Sequence, residues 1–212
     1  MSDETQARFR GRDKIVAHPS GLQSRLDRAI EQFDKSDSLA DVLREFIALI
    51  DAGCKEAYFF AGCIYEDGGK DVERNIENAV FYYKRSVEEL GYVEGYLALG
   101  RLYYYGIGVG RDYDKAFEYY SLVAEHSENP IAQMMLGRMY LHGHGVQRDL
   151  AKARTYLSGA ASSGNVHAIK SLAILEEDSG NRVTGIVLRL KAGVAAFLIG
   201  CRNMKDYRLR AG

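Results

Sequence analysis

The sequence has little that interrupts or cross-links a helical chain. It contains no tryptophan and only two prolines, Pro19 and Pro130, in 212 residues, so long helices are allowed almost everywhere. Its cysteines, Cys54, Cys63 and Cys201, are odd in number and lack the spacing of a metal site, which predicts free thiols in a reducing compartment. The N-terminus carries no apolar signal-peptide core. We therefore expect a cytoplasmic protein.

Charge is nearly balanced overall but unevenly distributed along the chain. The formal net charge of −1 argues against general nucleic-acid binding. Residues 181–212 nevertheless hold seven Lys or Arg residues and one acidic residue, so a basic end follows an acidic body. This asymmetry predicts either a contact made by the C-terminal end or an ordinary solvated end.

Three segments, 57–93, 94–130 and 131–166, repeat with a period of 37 or 38 residues. One glycine recurs at this period, as Gly62, Gly100 and Gly137, and one alanine recurs as Ala79, Ala116 and Ala153. Several coincident positions at one period indicate a repeat protein.

Each repeat has the pattern of two helices joined by a glycine-rich turn. Gly95, Leu99 and Tyr103 are spaced by four residues and form one stripe of a first helix. Gly100 allows the second helix to approach closely, and the glycine pairs at 106 and 108 and at 143 and 145 end the first helix and turn the chain. The second helix then begins at a side-chain oxygen suited to an N-cap, in Asn75, Asp112 or Asp149.

The repeated motif A-x-x-x-L-G-x-x-Y, then G-x-G-V-x-R-D, then A-x-x-Y-Y, resembles the Sel1-like repeat family. The match is close in Gly95–Glu125 and Ala132–Gly164 and weaker in Ala57–Gly91, where Gly68-Gly69-Lys70-Asp71 carries one extra residue. The resemblance implies an all-α, right-handed superhelical solenoid of antiparallel helix pairs similar to tetratricopeptide repeats. It also implies an adaptor or scaffold that binds other proteins.

The flanks of the three repeats look like degenerate units. We expect residues 1–23, which are polar, to be partly disordered, and we expect N-terminal cap helices over residues 24–56. A degenerate repeat or cap is expected over 167–200, followed by a basic tail over 201–212. The pattern predicts helices over Leu39–Ala52, His167–Glu177 and Thr184–Ile199. Glu176 and Glu177 are interpreted as solvated carboxylates at an exposed helix end.

The first helices of the repeats supply a candidate partner surface, because such helices line the concave face of related arrays. Two arginines at equivalent positions suit a carboxylate, and apolar neighbours suit an anchoring side chain. The predicted groove residues are Phe59, Leu97, Arg101, Tyr104, Met134, Arg138 and Leu141. Alternatively, the apolar row packs neighbouring helices and the arginines are solvated.

The C-terminal helix is a second candidate for contact. It is too short and too charged to span a membrane. Its basic residues Arg189, Lys191, Arg202 and Lys205 suit contact with an anionic membrane surface or a protein partner. The helix could also dimerise. The alternative is a capping helix that closes the core.

Motifs of catalysis and of cofactor binding are missing. The glycine-rich turns follow helices and lack the Gly-Lys-Ser/Thr ending of a phosphate loop. His142 and His144 would need further ligands to hold a metal. We therefore predict no cofactor, no metal and no enzymatic activity. A hydrolase of small cell-wall fragments, discussed for secreted relatives, is a third alternative that the missing export signal and paired cysteines disfavour.

Overall fold

The computed structural model describes residues 20–35 and 38–202, and within these ranges it contains helices and connecting turns but no strand. This confirms the predicted all-α class. The helices are α1 (Ser20–Lys35), α2 (Leu39–Asp51), α3 (Ala57–Asp67), α4 (Ile76–Leu90), α5 (Val93–Tyr105), α6 (Tyr113–His126), α7 (Pro130–His142), α8 (Leu150–Ser162), α9 (Val166–Asp178) and α10 (Arg182–Arg202).

The chain divides into two compact units at Arg111. The N-terminal unit contains α1–α5, and the C-terminal unit contains α6–α10. Within the units, consecutive helices pack as pairs, above all α3 with α4, α7 with α8 and α9 with α10. The segments 1–19, with most of the predicted disordered region, and 203–212, with most of the predicted basic tail, lie outside the described residues.

Side-chain caps start the second helices where the sequence predicts them. The side-chain oxygen of Asn75 accepts a hydrogen bond from the backbone N–H of Asn78 at 2.9 Å, and Asp149 accepts from the N–H of Lys152 at 3.0 Å. Asp112 caps α6 in the same way. These bonds satisfy backbone donors that have no partner within the helix.

Arginine side chains close the turns between the paired helices. The Nε of Arg148 donates to the carbonyl of Leu141 at 3.0 Å, and Arg74 donates to the carbonyl of Glu66 at 2.9 Å. Each arginine thereby satisfies a carbonyl at the C-terminal end of a first helix. At Gly143 the chain turns with φ +72°, a conformation that glycine adopts without strain.

Small residues set the distance between paired helices. A Cβ atom added at Gly137 would lie 2.6 Å from Cγ of Leu157, and one at Gly62 would lie 2.7 Å from the ring of Tyr83. Side chains from the second helix therefore occupy the space above both glycines, as the repeat pattern predicts.

The turn that carries the extra residue in the first repeat has a structural role that the sequence did not indicate. Asp71 lies in the turn between α3 and α4, and its carboxylate accepts hydrogen bonds from the hydroxyl of Ser38 and the backbone N–H groups of Leu39 and Ala40. These bonds lower the pKa of Asp71, the bond from Ser38 contributing most. The turn of the first repeat thus caps the preceding helix, α2.

The flanking helices extend slightly beyond their predicted bounds. The helix α1 begins at Ser20, inside the segment expected to be polar and partly disordered. The helix α9 begins at Val166 and ends at Asp178, and α10 covers Arg182–Arg202 instead of Thr184–Ile199. Ala192 of α10 is fully buried with Val166 and Ile169 of α9, so the inner side of α10 closes the core of its unit.

Candidate functional site

The predicted groove residues separate into accessible and buried sets. Tyr104, Met134 and Leu141 are buried, so in this structure their side chains belong to the core of their units. The partly exposed residues are Phe59, Leu97, Arg101 and Arg138. The accessible part of the predicted surface therefore consists of two apolar and two cationic side chains, with Arg138 in the C-terminal unit and the others in the N-terminal unit.

A buried carboxylate engages Arg101 in the N-terminal unit. Glu66, only 8% exposed, lies in the last turn of α3, and both of its carboxylate oxygens lie 2.6 Å from Nη2 of Arg101. The hydroxyl of Tyr83 donates to the same carboxylate at 2.8 Å. Charged hydrogen bonds of this kind are short and strong, so Arg101 holds a carboxylate of its own chain.

This ion pair was missed in the sequence, although a signal for it exists. Glu66 and Arg101 are 35 residues apart, close to the repeat period. In the repeat alignment the position of Glu66 is occupied by Tyr104 and Leu141, so an acidic residue is the exception there. An acidic residue at a position that is otherwise apolar, followed one repeat later by arginine, indicates a structural ion pair between neighbouring repeats.

The environment of this cluster makes its thiol unreactive. Cys63 lies 3.6 Å from the hydroxyl of Tyr83, and burial raises the pKa of the Cys63 thiol to about 12. Burial likewise raises the pKa of Tyr83 far above its ordinary value. Because the thiolate is the nucleophile and metal ligand, Cys63 stays protonated at neutral pH and takes neither role.

Phe59 is held by aromatic packing and is only partly accessible. Its ring centroid lies 5.6 Å from that of Tyr83 and 5.2 Å from that of Tyr92. These distances fit tilted aromatic pairs that stabilise the N-terminal unit. Leu97 on α5 is also partly exposed, one turn before Arg101.

Arg138 differs from Arg101 in its surroundings. Its side chain is partly exposed on α7, and no carboxylate among the described residues pairs with its guanidinium. His142 follows it by one helical turn. The pKa of His142 is lowered, first by burial and then by the neighbouring His144, Arg138 and Arg148. The cations around His142 outweigh the nearby Asp178, so this end of α7 has a positive local potential.

The histidine that ends α7, His142, and the one in the following turn, His144, pack as rings. The ring of His144 stacks on Tyr113 with centroids 4.3 Å apart, and the rings of His142 and His144 are 5.5 Å apart. Within the described ranges, no group of three His, Cys, Asp or Glu side chains is arranged to hold a metal ion.

The interpretation of Glu176 as a solvated carboxylate is wrong. Glu176 is 8% exposed and accepts hydrogen bonds from Arg154 at 2.7 Å and from Asn181 at 2.8 Å. The bond from Arg154 is the main reason that the pKa of Glu176 is lowered. The sequence shows helical spacing but not which second-helix arginine faces α9.

The predicted contact residues of the C-terminal helix have different environments. Arg189 donates two hydrogen bonds of 2.6 Å to Glu177 of α9, and Lys191 is exposed. The side chain of Arg202 and all of Lys205 lie outside the described residues. No helix in the described part of the chain is both long and apolar enough to cross a membrane.

Comparison with known families identifies the repeats. The Sel1 repeat model matches residues 55–89, 93–127 and 130–165, which together make up half of the chain. The chain belongs to the Sel1 repeat family. Sel1 repeat proteins generally mediate protein–protein interactions, and their fold is typically a non-catalytic scaffold.

Solved structures support the same architecture. A protective antigen of uropathogenic Escherichia coli strains that displays an SLR fold aligns with a TM-score of 0.73 and 24% identity, over 82% of this chain and 38% of that one. A Sel1 repeat protein from Oxalobacter formigenes aligns with a TM-score of 0.70 and 20% identity, over 91% of this chain and 83% of that one. This chain thus spans well under half of the E. coli antigen's length. The comparison confirms the predicted solenoid fold, and no match was found among curated proteins.

Proposed function

We propose that this Sel1 repeat protein is a cytoplasmic adaptor that binds a protein or peptide through its first helices, and that Arg138 receives a carboxylate of the partner. The observation that carries the proposal is the partly exposed guanidinium of Arg138, which has no described carboxylate beside it. Arginine forms two parallel hydrogen bonds to a carboxylate, which gives both affinity and orientation. We propose no catalytic reaction.

The contrast with Arg101 focuses the proposal on one residue. Arg101 already binds the buried Glu66, so removing it perturbs the N-terminal unit as well as any binding. Arg138 has no such structural partner among the described carboxylates. A carboxylate-binding role is therefore testable at Arg138, within the C-terminal unit, without disturbing an internal ion pair. Phe59 and Leu97 remain proposed apolar contacts of the N-terminal unit taken by itself.

The positive potential around His142 makes the proposed binding dependent on pH. In the free protein the neighbouring cations help to lower the pKa of His142. A carboxylate bound at Arg138 offsets them and raises the pKa of His142, so binding takes up protons. Affinity then increases as the pH falls through the range in which His142 becomes protonated in the complex.

The test is affinity capture from an extract of cells that express the protein, with the full chain as bait. Once a partner is identified, its acidic segment is titrated against the wild type, Arg138→Ala and Lys170→Ala. Lys170 is an exposed cation of the same unit, so its replacement controls for net charge. We expect Arg138→Ala to weaken binding by about tenfold or more, because charged hydrogen bonds are lost. Equal affinity of a folded Arg138→Ala variant contradicts the assignment.

Attachment to a membrane surface through Arg189, Lys191, Arg202 and Lys205 remains an alternative prediction. Flotation of the full chain with vesicles of anionic lipid at low salt tests it. If the protein floats and is released by salt, its basic end binds lipid. If it stays soluble, the membrane alternative fails and the adaptor proposal is unaffected.

A further inference from the structure

The outward side of α10 is a continuous apolar surface. Seven side chains on this side are between 56% and 77% exposed, namely Val183, Ile186, Val187, Leu190, Val194, Phe197 and Leu198. The opposite side of the same helix packs on α9 through Leu188, Ala192, Ala195 and Ala196. A helix that is apolar on two opposite sides is normally covered on both.

The exposed residues have the spacing of a helix–helix seam. Val183, Val187, Leu190, Val194 and Phe197 follow one another at alternating steps of four and three residues. This heptad pattern places them on one stripe that faces a second helix, with side chains of one helix inserting between those of the other. The stripe is about 21 Å long, since an α-helix rises about 1.5 Å per residue.

A glycine forms a notch beside this stripe. Gly193 lies in the interior of α10, and a Cβ atom added there would meet no other atom within 4 Å. Helical periodicity places the notch beside Leu190 and Phe197, each one turn away. Glycine inside a helix lowers the stability of the helix, and no packing contact among the described residues explains it at this position.

The apolar side chains and the notch are complementary to themselves under a two-fold rotation. If two copies of α10 pack antiparallel with their midpoints aligned, Val187 of each copy faces Phe197 of the other, and Leu190 faces Val194, beside the Gly193 notch. Such self-complementarity is the requirement for a two-fold interface. We propose that the outward side of α10 binds the same side of a second copy of this chain, with the two helices antiparallel.

The charges at the edges of the stripe distinguish this occupant from a lipid surface. Arg189 is paired with Glu177, so it is not available as a separate cation for anionic headgroups. Lys191 is exposed and lies near the middle of α10, so the two-fold axis brings both copies of it close together. Salt screens this repulsion. We therefore expect association of two copies to tighten with salt, whereas binding to anionic vesicles weakens.

The experiment is sedimentation equilibrium of the full chain at several concentrations and two salt levels. A surface one helix wide is smaller than a standard interface, so we expect a dissociation constant in roughly the micromolar range. The double variant Leu190→Glu/Val194→Glu should raise the dissociation constant at least about 100-fold, because two central apolar contacts are replaced by charges. Both residues are exposed, so the fold should persist, which circular dichroism checks.

Further variants test the specificity and the orientation of the interface. Phe81→Glu makes the same kind of change at an exposed residue of α4 and should leave the association unchanged. A Cβ atom at position 193 meets nothing within 4 Å, so Gly193→Leu should leave the fold intact, which circular dichroism checks, and should weaken association about tenfold or more by closing the notch. In a Cys201→Ser background, chains with Val187→Cys should form disulfides with chains carrying Phe197→Cys but not with one another.

Each outcome decides the proposal. A concentration-dependent dimer that is lost in Leu190→Glu/Val194→Glu, weakened by Gly193→Leu and kept in Phe81→Glu supports it. A wild type that stays monomeric at the highest concentration overturns it, as does a dimer that survives Leu190→Glu/Val194→Glu. Flotation of a monomer with anionic vesicles, abolished by the same double variant, would assign the surface to lipid instead.

Discussion

The contact between Gly137 and Leu157 allows one sharp prediction about the repeat packing. In Gly137→Ala the new methyl group would lie 2.6 Å from Cγ of Leu157 and 3.1 Å from its backbone nitrogen. Both are poorly mobile atoms, so α7 and α8 must separate. Overpacking of this kind costs about 1–3 kcal/mol. Alanine regains up to about 1 kcal/mol of helix propensity over glycine.

The net expectation for Gly137→Ala is a loss of about 1–2 kcal/mol, which lowers Tm by about 2–8 °C in a protein of this size. Gly193→Ala is the matched control, since the same substitution there enters open space. It should raise Tm slightly through helix propensity alone. Thermal melts followed by circular dichroism, at concentrations too low for association of α10, measure both. If Gly137→Ala melts at or above the wild-type temperature, the assigned packing of the repeat is refuted.

Other perturbations test the polar contacts. Asp71→Ala should lower Tm at neutral pH by removing the cap of α2. The cap lowers the pKa of Asp71 in the folded protein, so its stabilisation is fully present above the unfolded pKa of about 3.9. This stabilisation is lost as the pH falls through the folded pKa. The Tm values of the wild type and of Asp71→Ala should therefore converge in acid. Arg154→Ala should lower Tm and raise the pKa of Glu176, and adding Glu176→Gln should recover part of the loss, as a double-mutant cycle will show. Arg138→Ala should raise the pKa of His142 in an NMR titration, and an unchanged value would contradict the positive potential described for that end of α7.

Local features of the repeats were predictable because each depends on residues close in sequence. A side-chain oxygen just before a run of apolar residues at helical spacing identifies an N-cap. Asn75 and Asp149 accept the expected hydrogen bonds from backbone N–H groups. A glycine just after such a run identifies the end of the helix, and Gly143 has the expected left-handed conformation. The repeat period identified which helices pair, because a glycine recurs at one position of the first helix. At Gly62 and at Gly137 it lies against a bulky side chain of the second helix.

Features that depend on which residues face each other were not predictable from one sequence. The spacing of α5 shows that Arg101 lies on one side of the helix, but not that Glu66 lies within 2.6 Å of it. The predicted groove contained Met134 and Leu141 because helical periodicity cannot tell an inner face from an outer one when both are apolar. The same ambiguity applies to α10, whose inner side closes the core while its outer side is exposed.

The pairing of Glu66 with Arg101 limits how this array can grow. Solenoids lengthen by duplication of a repeat, and most insertion points are equivalent when neighbours interact only through generic apolar stacking. In the repeat alignment Arg101 is equivalent to Arg138 of the third repeat but to Cys63 of the first. A second copy of the first repeat placed directly after it would therefore set a cysteine opposite Glu66 in place of the arginine, and that carboxylate would be buried without its cation. A copy of the second or third repeat at the same junction would supply an arginine. Natural or designed lengthening of this chain is therefore more readily accommodated by copies of the second and third repeats than by copies of the first.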